Sequence, residues 1–389
     1  MPTGPLLTIG EKTPQRIYRL ALAMLLLLSE VFSSNIQATL PAFSHLCRLA
    51  LTGGAVVLLL AKCLLLTRYA ARWHWAVIAG VLLYTGFAAF YGDDIWFFLA
   101  ALLALGVKDV DLRGTLRLYL GVAAAGLIAV QLLHVFTPLI PFKFYCRNWD
   151  FGYGHYNGYG ARLIGVFFAW AWLRWSRLRW YDWLGLSALA AYTALVPVCR
   201  GAAGAMVILL VLFLLQRLLP GLFTGRLWRY GLLAVWPAFT VFSMLFGYLY
   251  NPAQPNATPL LLKLSSLLSG RFEIWHNVFW QTPASLLGGV PTDGDEHHAI
   301  DNLFLALPMN KGILGAVLVG VLFMLLVWRL CRAGRPCETI CLAALFCYCL
   351  MENKLFLPAA NPFLLLLPCV LFWPPLEKLP VLAHAENTK

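Results

Sequence analysis

The sequence predicts an all-α, polytopic membrane protein with about twelve transmembrane helices, and three observations carry that reading. Of its 389 residues 61% are hydrophobic and 12% charged. With a mean hydropathy of +0.75 the chain is too apolar for a water-soluble globule. Apolar runs near the ~20 residues that cross a bilayer recur from end to end, and the basic residues fall in alternate loops between them. The whole chain, 1–389, therefore reads as one integral membrane domain.

The runs lie near 17–35, 44–66, 73–91, 93–107, 115–136, 160–175, 181–198, 202–219, 230–250, 303–328, 338–351 and 356–373. The first follows Glu11, Lys12, Arg16 and Arg19 with no convincing cleavage site, so it reads as a retained span. With a cytoplasmic N-terminus, successive inner loops carry Arg68 and Arg72, then Lys108, Arg113 and Arg117, then Arg174, Arg177 and Arg179, then Arg217, Arg226 and Arg229, then Arg329, Arg332 and Arg335. No loop conflicts with the positive-inside rule, which puts the C-terminus in the cytoplasm as well.

Most of the net charge of +12 is thus topological, and no basic stripe with interleaved aromatics suggests a nucleic-acid partner. Five of the ten cysteines, Cys47, Cys63, Cys341, Cys347 and Cys349, sit inside apolar runs. There Cys behaves as a small hydrophobe, and no disulfide framework is expected.

Two long segments remain outside, a Gly/Tyr-rich loop at 137–159 and a large loop at 251–301, with short turns at 34–42, 92–94, Cys199-Arg200 and 352–355. Topology does not account for the basic residues there, which include Arg147, Arg162, Arg200, Arg271, Lys311 and Lys354. The first loop contains "CRNWDFGYGHYNGYGAR". Glycines alternating with Tyr153, His155, Tyr156, Asn157 and Tyr159 suit the holding of sugar rings or head groups, or else an interfacial aromatic belt. Arg147 and Arg162 bracket it and offer charge to an anionic group. Arg200 opens "CRGAAGAM", whose small residues let helices approach closely, so it is expected near the outer interface against neighbouring helices.

In "SLLSGRFEIWHNVFW" the spacing of Phe272, Trp275 and Phe279 predicts an amphipathic helix on the membrane surface, with Arg271 in its first turn. Arg271 and Glu273, two positions apart, do not face each other on a helix. A guanidinium at that depth suits phosphate oxygens. The loop ends in Asp293, Asp295, Glu296, His297, His298 and Asp301. Zinc spacing is absent, so the preferred role is a carboxylate or imidazole taking a proton from an attacking hydroxyl.

In this order the pieces resemble the bacterial O-antigen polymerase and O-antigen ligase superfamily, the Wzy-like and WaaL-like integral membrane glycosyltransferases. "FGYGHYNGYG" is similar to the Gly-rich loop with a His-x-Asn core, with Tyr156 where the family usually has proline. "CRGAAGA" resembles a Ser-Arg-Gly span start, with Cys199 in the serine position. "SGRFEIW" followed by "PASLLGGVP" resembles the Ser-Gly-Arg, Trp and Gly-x-Gly run of the large loop. Asp301-Asn302 followed by Gly312-Ile313-Leu314-Gly315 matches the end of that loop, with aspartate replacing the ligases' histidine. The likeness covers roughly residues 137–330.

The resemblance implies a GT-C-like fold whose large external loop carries amphipathic helices over a cavity. It implies a polysaccharide polymerase, for O-antigen, capsule or exopolysaccharide, in the plasma (inner) membrane of a bacterium. A polyprenyl-diphosphate-linked glycan would be transferred to the non-reducing sugar of another lipid-linked unit, without metal or other cofactor. Arg200 and Arg271 would stabilise the leaving diphosphate, and Asp301 or His298 would act as base. Arg147, His155, Asn157, Arg162, Trp275 and Asn302 would bind substrate, and a flippase or chain-length regulator would be a protein partner. The aspartate at 301 favours a polymerase over a ligase acting on a lipid or cell-wall acceptor. A lipid-linked oligosaccharide transporter is the third alternative, disfavoured because most spans lack ionisable residues near their middle.

Overall fold

The computed structural model describes residues 12–69, 71–92, 94–145, 148–251, 259–267, 270–281, 284–288, 300–379 and 382. Among them it is helical apart from one hairpin, Phe144–Tyr145 (β1) against Asn148–Trp149 (β2), antiparallel with Phe144 opposite Trp149. The helices are α1 (Thr13–Leu27), α2 (Ile36–Thr39), α3 (Pro41–Leu65), α4 (Trp73–Gly92), α5 (Ile95–Gly106), α6 (Leu112–Phe136), α7 (Tyr156–Arg174) and α8 (Trp180–Leu195). They continue as α9 (Arg200–Leu218), α10 (Arg226–Leu249), α11 (Pro259–Leu267), α12 (Arg271–Gln281), α13 (Leu303–Asn310), α14 (Gly312–Arg332), α15 (Pro336–Met351) and α16 (Pro368–Leu371).

Six of these, α3, α4, α6, α9, α10 and α14, are long and apolar enough to cross a membrane. Several of the predicted runs take other forms. The run at 303–328 is two helices, because Lys311 leaves helical geometry and Gly312 has φ +76°. A side chain at Gly312 would also strike Gly288 and Leu286 of the preceding loop. The run at 356–373 is a 3-10 turn, Pro362–Leu366, followed by α16. Pro358, Pro362 and Pro368 remove the amide donors that a continuous helix needs. The first run ends in a π-helical turn, Leu28–Phe32, that holds the fully buried Glu30, a carboxylate inside the predicted run that its apolar content masked.

Length and position in the bundle go together. The 12-residue α5 buries Phe97, Leu99, Ala100 and the run Leu102–Gly106, and α15 buries most of its surface too. A helix that is apolar all round belongs in the interior. Longer helices show large apolar side chains to the outside, among them Leu46 and Val57 on α3 and Leu83 and Phe90 on α4. Those are the faces a bilayer covers.

Polar contacts sort into two ends, as the loop charges do. At one, Arg19 pairs with Asp111 at 2.9 Å, Lys62 meets the Lys108 carbonyl, and Arg217 donates to the Leu178 carbonyl at 3.1 Å. At the other, Asn35 donates to Asp150 and to the Pro141 carbonyl, each at 2.7 Å. Lys311 also pairs with Asp94 there at 2.8 Å.

Candidate functional site

The end opposite the arginine-rich loops is built by close approaches. Asp150 is buried and its Oδ1 accepts from the backbone N–H of Lys143 and of Gly152, at 2.8 and 3.0 Å, closing the loop ahead of α7. Gly152 has φ +86°, and a Cβ there would come within 2.9 Å of Ile140. His155 caps α7, its Nδ1 accepting from the Asn157 backbone N–H at 3.0 Å. Gly160 has no side chain, so Cys199 can press against α7, where its thiol donates to the Tyr156 carbonyl at 2.9 Å. Gly201 does the same for α15: a Cβ there would lie 3.1 Å from Met351 Cβ and 3.7 Å from Glu352 Oε1.

That carboxylate answers what Arg271 meets. Gly270, at φ +79°, turns the chain into α12, and Arg271 Nη2 donates to Glu352 Oε1 at 3.0 Å. Both residues are buried, Arg271 6% and Glu352 3% exposed. Glu352 Oε2 has no hydrogen-bond partner among the described residues. Burial pushes the Glu352 carboxyl up to about 8, with Asp301 adding to the rise while Arg271 and Lys354 oppose it. Burial also lowers the His155 imidazole, against the pull of Asp301 and with the help of Lys354 and Arg271. Five ionisable groups from four stretches of chain therefore share one electrostatic environment. Glu273 is exposed.

Other predicted residues do different work. Arg162 spends all three guanidinium nitrogens on main-chain carbonyls, Nε and Nη2 on Ser29 and Nη1 on Gly158, at 3.2, 2.7 and 2.7 Å. Its Cζ lies 4.1 Å from the centre of the Tyr153 ring and it faces Glu30 at 3.7 Å, so it ties the Gly/Tyr loop to the π-helical turn after α1. Asn302 is fully buried, capping α13 through the Phe304 N–H and donating to Ser243 Oγ, both at 2.8 Å. Trp275 is fully buried between Phe242 and Phe272 in a secondary core under α12. Tyr159 stacks between Phe151 and Tyr153, so these rings occupy one another's faces. Tyr156 and Asn157 are half-buried at the start of α7, and Arg200 is exposed at the first residue of α9. Arg147, His298 and the acidic run 293–296 lie outside the described residues.

Glu352 was missed because it closes an apolar run in "CLMENKLFL", where only Lys354 drew notice. An ionisable residue at a span end was the available signal. Asp94, partner of Lys311, was missed likewise. An apolar cavity of about 420 Å³ lies between α4, α5, α14 and segment 356–371, with Tyr84, Phe97, Phe323 and Phe356 in its wall.

Comparison of the chain with protein-family models, with curated proteins and with solved structures finds no match. Chemically, the cluster offers a buried guanidinium, the amide-rich starts of α7, α9 and α12, and a carboxyl poised near neutrality. The first two suit an anion, and the last suits proton transfer.

Proposed function

We propose that the protein is a GT-C-like membrane glycosyltransferase of about twelve membrane segments that polymerises polyprenyl-diphosphate-linked glycan units. The observation that carries this reading is the shared environment of Arg271, His155 and Asp301, three residues of separate motifs, at the end facing away from the arginine-rich loops. Arg271 and Arg200 stabilise the diphosphate as charge develops on it. The acceptor oxygen bonds to the anomeric carbon while the bond from that carbon to the diphosphate oxygen breaks. Its electron pair leaves with the diphosphate, and the hydroxyl proton passes to Asp301. The isoprenoid chain lies in the apolar cavity, whose wall residue Phe356 follows Glu352 and Lys354 on one short segment.

Deleting the gene and resolving surface glycan on a gel tests the reading. Glycan capped with single repeat units is expected. Full-length polymer accumulating unattached to its acceptor points to a ligase, and unaltered glycan removes the proposal.

A further inference from the structure

In the resting protein Arg271 is already held by a carboxyl group of the protein's own, an anion above about pH 8. Glu352 puts one carboxylate oxygen on the guanidinium at 3.0 Å, and the other has no hydrogen bond among the described residues. A phosphate oxygen pair presents to a guanidinium fork the same edge that a carboxylate does. It also brings more charge to a place where helix starts already favour anions. Around Glu352 stand Arg271 of α12, Asp301 ahead of α13, Cys199 just before α9, Tyr348 of α15, and Lys354 on its own segment. Once Arg271 is taken, a buried carboxylate with Asp301 nearby has lost its main opposite charge, and such a group neutralises by binding a proton.

We infer that Glu352 is the exchangeable counter-ion of Arg271, yielding the guanidinium to the diphosphate of a polyprenyl-linked ligand and taking up a proton as it is displaced. The lipid-linked identity of the ligand rests on the function proposed above; the exchange itself rests on the pair. A ligand without bound diphosphate then meets a closed site, and binding is coupled to pH through a residue that touches the ligand's partner.

The test is calorimetric titration of the full-length protein in nanodiscs with farnesyl diphosphate and with inorganic pyrophosphate, in buffers of different ionisation enthalpy. At about pH 9, with Glu352 ionised, the wild type should take up close to one more proton per ligand than Glu352→Gln does, and should bind about tenfold more weakly. At about pH 6 both differences should vanish, because Glu352 is then already neutral. Equal proton uptake and equal affinity at the higher pH overturn the exchange. So does Arg271→Lys binding farnesyl diphosphate as the wild type does. If Glu352→Gln does not fold, the wild-type protein still decides, since binding of farnesyl diphosphate at about pH 9, where its diphosphate is already ionised, without proton uptake overturns the exchange. Farnesyl diphosphate should bind more tightly than pyrophosphate, and equal affinities remove the lipid-linked ligand. No glycosyl transfer is needed, so unaltered glycan in the deletion strain would remove the polymerase and leave the exchange standing.

Discussion

Two arginine–glutamate pairs near the same end of the molecule are held in opposite ways. Arg162 faces Glu30 at 3.7 Å but, among the described residues, donates its hydrogen bonds to the backbone carbonyls of Ser29 and Gly158, whereas Arg271 donates directly to Glu352 at 3.0 Å. In each pair one carboxylate oxygen has no hydrogen bond among the described residues, so an unused oxygen does not tell the pairs apart. The acceptor does. A carbonyl inside a helix cannot move aside without disturbing the helix, while a side-chain carboxylate can rotate or become neutral. Arg162 is therefore a strut between the π-helical turn and the Gly/Tyr loop. Arg271 is held by a partner that an incoming anion can replace.

The largest effect that would break this comparison is on folding. Arg162→Ala removes the donor of three hydrogen bonds and leaves the Ser29 and Gly158 main-chain carbonyls buried without it, at about 1–3 kcal/mol for each unsatisfied group. Arg271→Ala removes a hydrogen bond to a side-chain carboxyl that can turn aside. Membrane-inserted protein and thermal stability in detergent should drop sharply for Arg162→Ala and much less for Arg271→Ala. Equal losses would mean that both pairs are scaffold.

Next in size is an effect on activity. Lysine at 271 keeps the charge and can still meet Glu352, but it lacks the planar fork that engages two phosphate oxygens. Losing one donor to developing charge commonly lowers the rate ~100-fold or more. Arg271→Lys in a complemented deletion strain should give normal protein and little or no polymer. Near-normal polymer would reduce Arg271 to an interfacial anchor.

What could be read in advance follows from the range of the interactions. Hydropathy and loop charge act locally, so the helices, the two ends and the amphipathic α12 with Arg271 at its start were legible. Helix breaks were less so: the run 356–373 includes Pro358, Pro362 and Pro368, and the run 303–328 includes Gly312 although the motif that opens a span begins there, because apolar content outweighed backbone geometry. Which arginine is a strut was not legible at all. Arg162 and Arg271 each follow a glycine closely, Gly160 and Gly270, and their carboxylate partners lie 132 residues before one and 81 after the other in the chain. Pairings at such separations belong to the packing of helices, which no local pattern encodes. For the same reason Asn302 and Trp275 looked available to substrate until the packing of α10 and α12 enclosed them.

The smallest effect concerns stability against pH. Glu352 ionises less readily in the folded protein than in the unfolded chain, because burial and Asp301 raise its carboxyl to about 8 from an ordinary 4.5. Between those values the native state holds the proton more tightly than the unfolded state does. The stability that Glu352 contributes is therefore fully present below the ordinary carboxyl range and is lost as pH rises through about 8. Glutamine keeps the shape and hydrogen-bonding capacity of the protonated acid and does not titrate. Thermal melts of purified wild type and Glu352→Gln should thus agree below about pH 4.5 and separate as the pH rises to about 8, with the variant the more stable. Parallel curves at every pH would mean that Arg271 compensates Glu352 in full. The pair would then be a second fixed strut, and the contrast with Arg162 and Glu30 would disappear.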